Sequence, residues 1–176
     1  MTVTVFGSSR CAEGSAEYEL AYDLGRGLAA SGYSVCNGGF GGTMEAGARG
    51  AKEAGGSTIG VTVGLFGQSA NPWIDRTIPT PTLVERLLKL IELGDAYVTL
   101  RGATGTLLEL AAVWEMMNKG IILQKPLLTF QPYWSPLIEM ITREFPPEQS
   151  GNTELIREVK TAEECVLVLN QLLPLP

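Results

Sequence analysis

Apolar residues along the chain follow two spacings, one typical of helices and one typical of strands. Leu20, Leu24 and Leu28 recur at helical spacing, whereas Thr2–Phe6 is a short run that favours a strand. Strands are predicted at residues 2–6, 33–36, 57–63, 96–100 and 126–130, with a last short strand within 151–159. Helices are predicted at residues 15–31, 43–54, 82–93, 107–118 and 134–144, and after the capping box Thr161-Ala162-Glu163-Glu164.

The alternation of short strands and helices is typical of βα units. We therefore expect an α/β fold, a doubly wound, Rossmann-like parallel sheet with helices on both faces, in a single domain over residues 1–176. Residues 64–81 are rich in Gly, Pro, Asn and Ser and are predicted as a long loop, a feature that is often functional. The tail of residues 174–176 is predicted to fray.

Composition and charge indicate which kinds of molecule the protein can bind. Charged residues make up 18% of the chain, below the roughly 25% of an average soluble domain, which favours a surface partly covered by another subunit. The net charge of −6 argues against a nucleic acid polymer, because that binding needs clustered Lys and Arg. A small phosphate ligand is still compatible with this charge, since backbone amides can hold it.

The residue types that are missing exclude several chemistries. The chain has no histidine, which excludes Ser-His and Cys-His mechanisms and His-ligated metal sites. Three widely spaced cysteines fit neither a disulfide framework nor a CxxC metal site and favour a reducing compartment. The start lacks the pattern of a signal peptide, and no long apolar run is present. We expect a cytoplasmic protein that does not bind membranes.

Three glycine-containing turns each follow a predicted strand and precede a predicted helix. They are Gly7-Ser8-Ser9, residues 37–42 and residues 101–106. Such turns lie at the carboxyl edge of a parallel sheet, where ligands bind, and a helix N-terminus there suits a phosphate. A single turn of this kind is better explained as a tight turn alone, whereas three of them at one edge of the sheet favour a ligand site. The first two lack the GxGxxG fingerprint, which disfavours a nicotinamide-dependent dehydrogenase.

Two charged residues lie close to these turns in the sequence. Arg86 is one turn into the helix after the long loop, and Glu109 follows Thr106 by three residues, where the helix dipole favours a carboxylate. A purely structural role remains open for each. Arg86 could be a surface partner of Glu85 or Glu92, and Glu109 could be an ordinary N-terminal helix charge.

Several motifs follow one another between residue 3 and about residue 140. Gly7-Ser8-Ser9 is followed by Gly38-Gly39-Phe40-Gly41-Gly42-Thr43-Met44, by residues 55–61, by Glu85-Arg86 nine residues before Asp95-Ala96-Tyr97, by residues 101–109 and by Lys125-Pro126. In this order they resemble the LOG (Lonely Guy) family, often mislabelled as lysine decarboxylase-like, and the related molybdenum-cofactor carrier proteins. Residues 101–109 correspond to the family motif PGGxGTxxE.

The resemblance implies a Rossmann-like homodimer with no metal or other cofactor. Active members hydrolyse the N-glycosidic bond of nucleoside 5′-monophosphates, such as AMP or cytokinin riboside 5′-monophosphates, to free base and ribose 5-phosphate. Arg86 and Glu109 match the catalytic residues of the family. The nucleotide is expected to bind to Gly7, Ser8, Ser9, Gly38, Gly39, Gly42, Met44, Gly102, Thr104, Gly105 and Thr106.

Two departures from the PGGxGTxxE motif leave a second function open. Arg101 replaces its proline and Ala103 its second glycine. If residue 103 needs a positive φ, alanine adds about 1–2 kcal/mol of strain, and Arg101 could either pair with a phosphate or block the pocket. A non-catalytic carrier of a nucleotide or of molybdenum cofactor is therefore the alternative. Lysine decarboxylation is rejected, because no lysine lies in a recognisable pyridoxal phosphate motif.

Overall fold

Strands and helices alternate along the computed structural model, which describes residues 1–64, 67, 69–144 and 155–173. The strands are β1 (Thr2–Phe6), β2 (Ser34–Asn37), β3 (Thr58–Val63), β4 (Arg76–Thr80), β5 (Ala96–Thr99), β6 (Leu127–Phe130) and β7 (Ile156–Val159). The helices are α1 (Ala16–Ala30), α2 (Thr43–Glu53), α3 (Leu83–Leu93), α4 (Thr104–Asn118), α5 (Ser135–Glu144) and α6 (Ala162–Leu172).

The seven strands form one parallel sheet in the order β4-β3-β2-β1-β5-β6-β7. Strand β1 lies between β2 and β5, with Val3 in register with Val35 on one side and Ala96 on the other. The order of the strands switches at this point, and the chain leaves β1, β2 and β5 at the same carboxyl edge. This topology confirms the α/β, doubly wound, Rossmann-like fold, and it places the three glycine-containing turns together.

An apolar layer covers each face of the sheet. On one face α1, α2 and α6 pack against the strands, with Leu24, Leu28 and Leu169 completely or almost completely buried. On the other face α3, α4 and α5 do so, around residues such as Leu90 and Leu110. Burial of both faces is the expected consequence of βα crossovers. Within the described part of the chain, no helix is long and apolar enough to cross a membrane.

Helix starts follow the capping residues that the sequence offers. The hydroxyls of Ser15, Thr82 and Thr161 accept backbone N–H groups at the first turns of α1, α3 and α6. The predicted capping box at Thr161 therefore begins α6, although the Glu164 carboxylate accepts from the amide of Lys160, one residue before the cap. Helix α4 begins at Thr104, three residues before the predicted start, so the prediction that Glu109 is an N-terminal charge in the first turn of this helix is wrong, and Glu109 lies in the second turn.

The prediction of a loop over residues 64–81 is wrong for its last part. Residues 76–80 form β4, an edge strand that pairs with β3 through partners such as Ile59 and Arg76. Its residues are mostly exposed, so they lack the alternation of apolar and polar residues that reveals a half-buried strand. Pro79 is tolerated because an edge strand has one side without ladder hydrogen bonds. Residues 65, 66 and 68 of the predicted loop, 151–154 of the last predicted strand segment and 174–176 of the tail lie outside the described residues.

Candidate active site

A cleft of about 940 Å³ opens at the carboxyl edge of the sheet, next to the switch between β1 and β5. The turns after β1, β2 and β5 and the start of α3 form its walls. Of the predicted site residues, those that line it are Gly7, Ser8, Ser9, Gly38, Met44, Arg86, Thr104, Gly105, Thr106 and Glu109. Gly39, Gly42 and Gly102 lie in the same turns but do not line the cleft. Phe40, which the sequence did not single out, lines it as well.

Arg86 of α3 and Glu109 of α4 approach each other in this cleft. Nη1 of Arg86 lies 3.6 Å from Oε1 of Glu109, and the two side chains are only 8% and 14% exposed. Nε of Arg86 donates to the carbonyl of Val61 at 2.8 Å, which orients the guanidinium. Arg86 is therefore a buried partner of Glu109 and not a surface partner of a glutamate on its own helix.

The turn after β2 holds the other side of the Arg86 guanidinium. The ring centre of Phe40 lies 5.6 Å from Cζ of Arg86, and Sδ of Met44 lies 4.0 Å from Nη2. A Cβ atom at residue 38 would lie 1.6 Å from Nη2, so only glycine leaves room for the guanidinium there. The glycine at position 38 thus determines where Arg86 can be placed.

Burial has the largest influence on both charges of the pair. It raises the pKa of Glu109 to about 7, because the lost hydration of the carboxylate outweighs its attraction to Arg86. Burial also lowers the pKa of Arg86, although the negative charge of Glu109 acts in the opposite direction and raises it. The guanidinium remains a cation because arginine titrates far above neutral pH. A carboxyl group that titrates near neutral pH is suited to accept and release protons during a reaction.

The turns after β1 and β2 pack closely against each other. The amide of Thr43, the first residue of α2, donates to the carbonyl of Ser8 at 2.9 Å. Gly42 has a φ of +66°, and a Cβ atom there would lie 2.4 Å from the same carbonyl oxygen. Glycine at position 42 therefore allows the two turns to form one continuous wall.

Two asparagines that the sequence did not single out hold the turn after β2. Oδ1 of Asn37 accepts the amide of Gly39 at 2.8 Å, and its Nδ2 donates to the carbonyl of Met44 at 2.9 Å. Asn71, between β3 and β4, donates from Nδ2 to the carbonyls of Gly39 and Phe40 at 3.1 and 2.9 Å. An asparagine in a loop signals only a turn, so the role of Asn71 could not be read from the sequence.

The N-terminus of α4 opens into the cleft opposite the turn after β2. Its N-cap is Ala103, which has no side-chain acceptor, unlike the serine and threonine caps of α1, α3 and α6. The amides of the first turn are thus available to an anion, which the helix dipole also attracts. Thr106 lines the cleft in this first turn.

Both departures from the PGGxGTxxE motif fit the backbone without strain. Ala103 has a φ of −97°, so the strain expected for a positive φ does not arise. Arg101 points away from the cleft: its Nη1 lies 2.8 Å from Oε1 of Glu17, and its Cζ lies 5.2 Å from the ring centre of Tyr133. Arg101 does not line the large cleft and does not block it.

Comparisons with known proteins agree with the order of the motifs. A family model described as the SLOG cluster4 family matches residues 1–166. An uncharacterized protein from Archaeoglobus fulgidus is 30% identical over 128 residues, which cover 73% of this chain and 83% of that protein. A cytokinin riboside 5′-monophosphate phosphoribohydrolase from Mycobacterium tuberculosis is 33% identical over 118 residues, which cover 65% of this chain and 63% of that enzyme.

The same fold occurs in a solved structure of a ligand-binding protein. The molybdenum cofactor binding protein from Rippkaea orientalis superposes with a TM-score of 0.75 at 23% sequence identity, over 97% of this chain and 95% of that one. At this identity the likeness shows a common fold, and it carries no conclusion about the ligand.

Proposed function

The chain belongs to the SLOG cluster4 family, and we propose that it hydrolyses the N-glycosidic bond of nucleoside 5′-monophosphates of the AMP type, cytokinin riboside 5′-monophosphates included. The observation that carries the proposal is the buried pair of Arg86 and Glu109, 3.6 Å apart in a cleft that also contains the N-terminus of α4. The activity in the name of the mycobacterial relative supports the same reaction class.

In this proposal the nucleotide phosphate binds the turn at residues 102–106. First-turn amides of α4 and the hydroxyl of Thr106 are its donors, as expected for an anion at a helix N-terminus. The glycosidic bond then lies towards Arg86 and Glu109, which occupy the same cleft.

In the reaction a water oxygen bonds to C1′ of the ribose, the bond from C1′ to the base nitrogen breaks, and the base leaves with a proton. Positive charge develops on the ribose ring as the bond breaks. The Glu109 carboxylate stabilises that charge or takes the proton of the attacking water. Arg86 orients the substrate and favours the ionised form of Glu109.

Release of free base from AMP and from isopentenyl-AMP, followed by chromatography, tests the proposal. We expect wild type to release base and Glu109→Gln to be about 10²–10³-fold slower, because it keeps the shape and loses the charge. Glu115→Gln is the matched control, since Glu115 lies on the same helix, is 61% exposed and pairs with Lys119. Equal rates for wild type and Glu109→Gln would show that Glu109 is not catalytic.

The pair is also expected to act as a unit. Arg86→Ala should weaken both AMP binding and turnover, because the guanidinium orients the substrate as well as the carboxylate. The double variant should be hardly slower than the slower single variant, as is usual for residues that contribute to one step. Fully additive losses would contradict this.

A non-catalytic nucleotide or molybdenum-cofactor carrier is the second candidate. The altered turn, with Arg101 and Ala103 in place of proline and glycine, first raised this alternative, although neither residue strains the backbone or blocks the cleft. Its remaining support is the fold shared with a molybdenum cofactor binding protein. Binding of AMP without release of base from any substrate would favour the carrier over the hydrolase.

A further inference from the structure

A second cavity of about 410 Å³ adjoins the cleft beyond the N-terminus of α4. We refer to this cavity, which Glu17, Arg101 and Tyr133 also line, as the side cavity. It shares Ser8, Arg10 and Ala103 with the large cleft, so the two spaces meet where α4 begins. Arg86 and Glu109 lie outside it, and the reaction proposed above makes no use of it.

Among the charged residues that line the side cavity, two arginines outnumber one glutamate. Arg10 is exposed, and among residues 1–64, 67, 69–144 and 155–173 it forms no ion pair. Arg101 reaches in from the turn after β5 and pairs with Glu17 at 2.8 Å. A guanidinium has five N–H donors, so this contact leaves donors for a ligand. Cys11 adds no charge at neutral pH, because burial raises the pKa of its thiol.

Arg101 makes contacts with two other parts of the chain. Its guanidinium lies over the Tyr133 ring, which follows β6, and against Glu17 of α1. The hydroxyl of Tyr133 donates to the carbonyl of Gly102 at 2.7 Å and so links the same ring to the turn. The Arg101 side chain is 63% exposed, so the N–H groups that do not contact Glu17 are accessible to an incoming anion.

We propose that the side cavity binds the second phosphate of a nucleoside 5′-diphosphate whose first phosphate lies at the N-terminus of α4. The inference rests on the proposed function for the place of the first phosphate. A second phosphate attached to the first would lie beside Ala103, which lines both spaces, and within the side cavity that Arg10 and Arg101 line. Arg101 stands where the LOG motif has a proline, so this cation is a feature of the present chain.

Because of the overall charge of the chain, it is informative whether ADP binds more tightly or more weakly than AMP. The chain carries a net charge of −6, and an additional negative charge on the ligand weakens binding unless nearby cations compensate it. Without a cationic subsite, ADP should bind more weakly than AMP. With the side cavity as its subsite, ADP should bind more tightly.

Calorimetric titration with AMP and with ADP tests the assignment. It is done in wild type and in Glu109→Gln, because slow cleavage in the variant does not interfere with the measurement of binding. We expect ADP to bind about tenfold more tightly than AMP, since hydrogen bonds to charged groups contribute that much or more. Arg101→Gln should reduce the ratio of the two affinities towards one. Glu17→Gln should increase it, because it removes the negative charge and frees Arg101. Arg143→Gln is the control, since Arg143 of α5 lies on the surface and pairs with Glu144, and it should keep the wild-type ratio.

The outcomes separate this inference from the proposed function. If wild type cleaves AMP but binds ADP no more tightly than AMP, the side cavity is not a phosphate subsite and the proposed function stands. If neither nucleotide binds, both are overturned. If the Glu17→Gln variant loses the preference for ADP, as the Arg101→Gln variant does, the ion pair of Arg101 and Glu17 has only a structural role and the assignment fails.

Discussion

Glu109 is a residue whose burial opposes its ionisation even though a cation lies beside it. Its pKa is raised from 4.5 to about 7, so the folded protein favours the protonated form. The resulting contribution to stability is present at pH 4 and is lost as the pH rises towards 7 and above. We expect the melting temperature of Glu109→Gln, relative to wild type, to increase between pH 5 and pH 8 in calorimetry. The difference for Glu115→Gln should stay constant.

The same titration predicts the opposite trend for activity. If the ionised carboxylate is the working form, kcat/KM for AMP falls as the pH drops below about 7. The variant that lacks the carboxyl group should show no such dependence. A pH-independent rate for wild type between pH 5 and pH 8 would contradict the role of Glu109, even if base is released.

Gly38 is the residue at which a single methyl group should disturb the pair. A Cβ atom there would lie 1.6 Å from Nη2 of Arg86, so Gly38→Ala must displace the guanidinium. A misplacement of about 1 Å in a catalytic group can cost 10²-fold in rate, and we expect a loss of that order in base release. Gly47→Ala is the control, because its Cβ atom would lie 3.5 Å from the Ala21 carbonyl oxygen, an ordinary contact. Full activity in folded Gly38→Ala would show that the position of Arg86 is unimportant.

At the scale of elements, the turn after β2 depends on the segment between β3 and β4. Nδ2 of Asn71 donates to the carbonyls of Gly39 and Phe40. Alanine removes this donor from both, whereas the backbone amide of residue 71 still donates to the carbonyl of Gly39 at 2.8 Å. We expect Asn71→Ala to lower the free energy of unfolding by about 1–3 kcal/mol and to raise the KM for AMP, measured by denaturant titration and by steady-state kinetics. Asn170→Ala of α6 is the control, since Asn170 is exposed and its side chain makes one long contact, 3.4 Å, to Ser31. An unchanged KM for AMP would show that Asn71 does not contribute to the binding site.

At the scale of the whole molecule, apolar residues of α3 and α4 are exposed beside the cleft. Val84, Leu88 and Leu108 are 64%, 47% and 46% exposed, and α4 is apolar on most of its circumference, as is typical of a helix buried on all sides. We predict a homodimer that covers this surface. Light scattering at micromolar concentration should give twice the 18.9 kDa of one chain, and Val84→Glu should halve that mass. Leu167→Glu, on α6 and 59% exposed, should not. A wild-type mass of one chain would contradict the dimer.

The sequence alone determined the features that depend on local interactions. Helical and extended spacings and cap residues such as Ser15 and Thr161 act within a few positions, so the order of elements and the α/β class followed from them. The three turns and the pair of Arg86 and Glu109 were also identifiable, because their residue types occur in the order of a known family. The edge strand β4 was missed, because its exposed residues carry no apolar alternation.

The tertiary structure decided what depends on residues that are remote in the chain. It placed Nη1 of Arg86 3.6 Å from Oε1 of Glu109 and brought Asn71 to the turn after β2. It also directed Arg101 towards Glu17, with which it forms an ion pair, and away from the cleft. It also raised the pKa of Glu109 to about 7. Burial, desolvation and ion pairing are properties of the space around a side chain, and strand order and helix packing create that space. Spacing along the chain therefore cannot specify these properties.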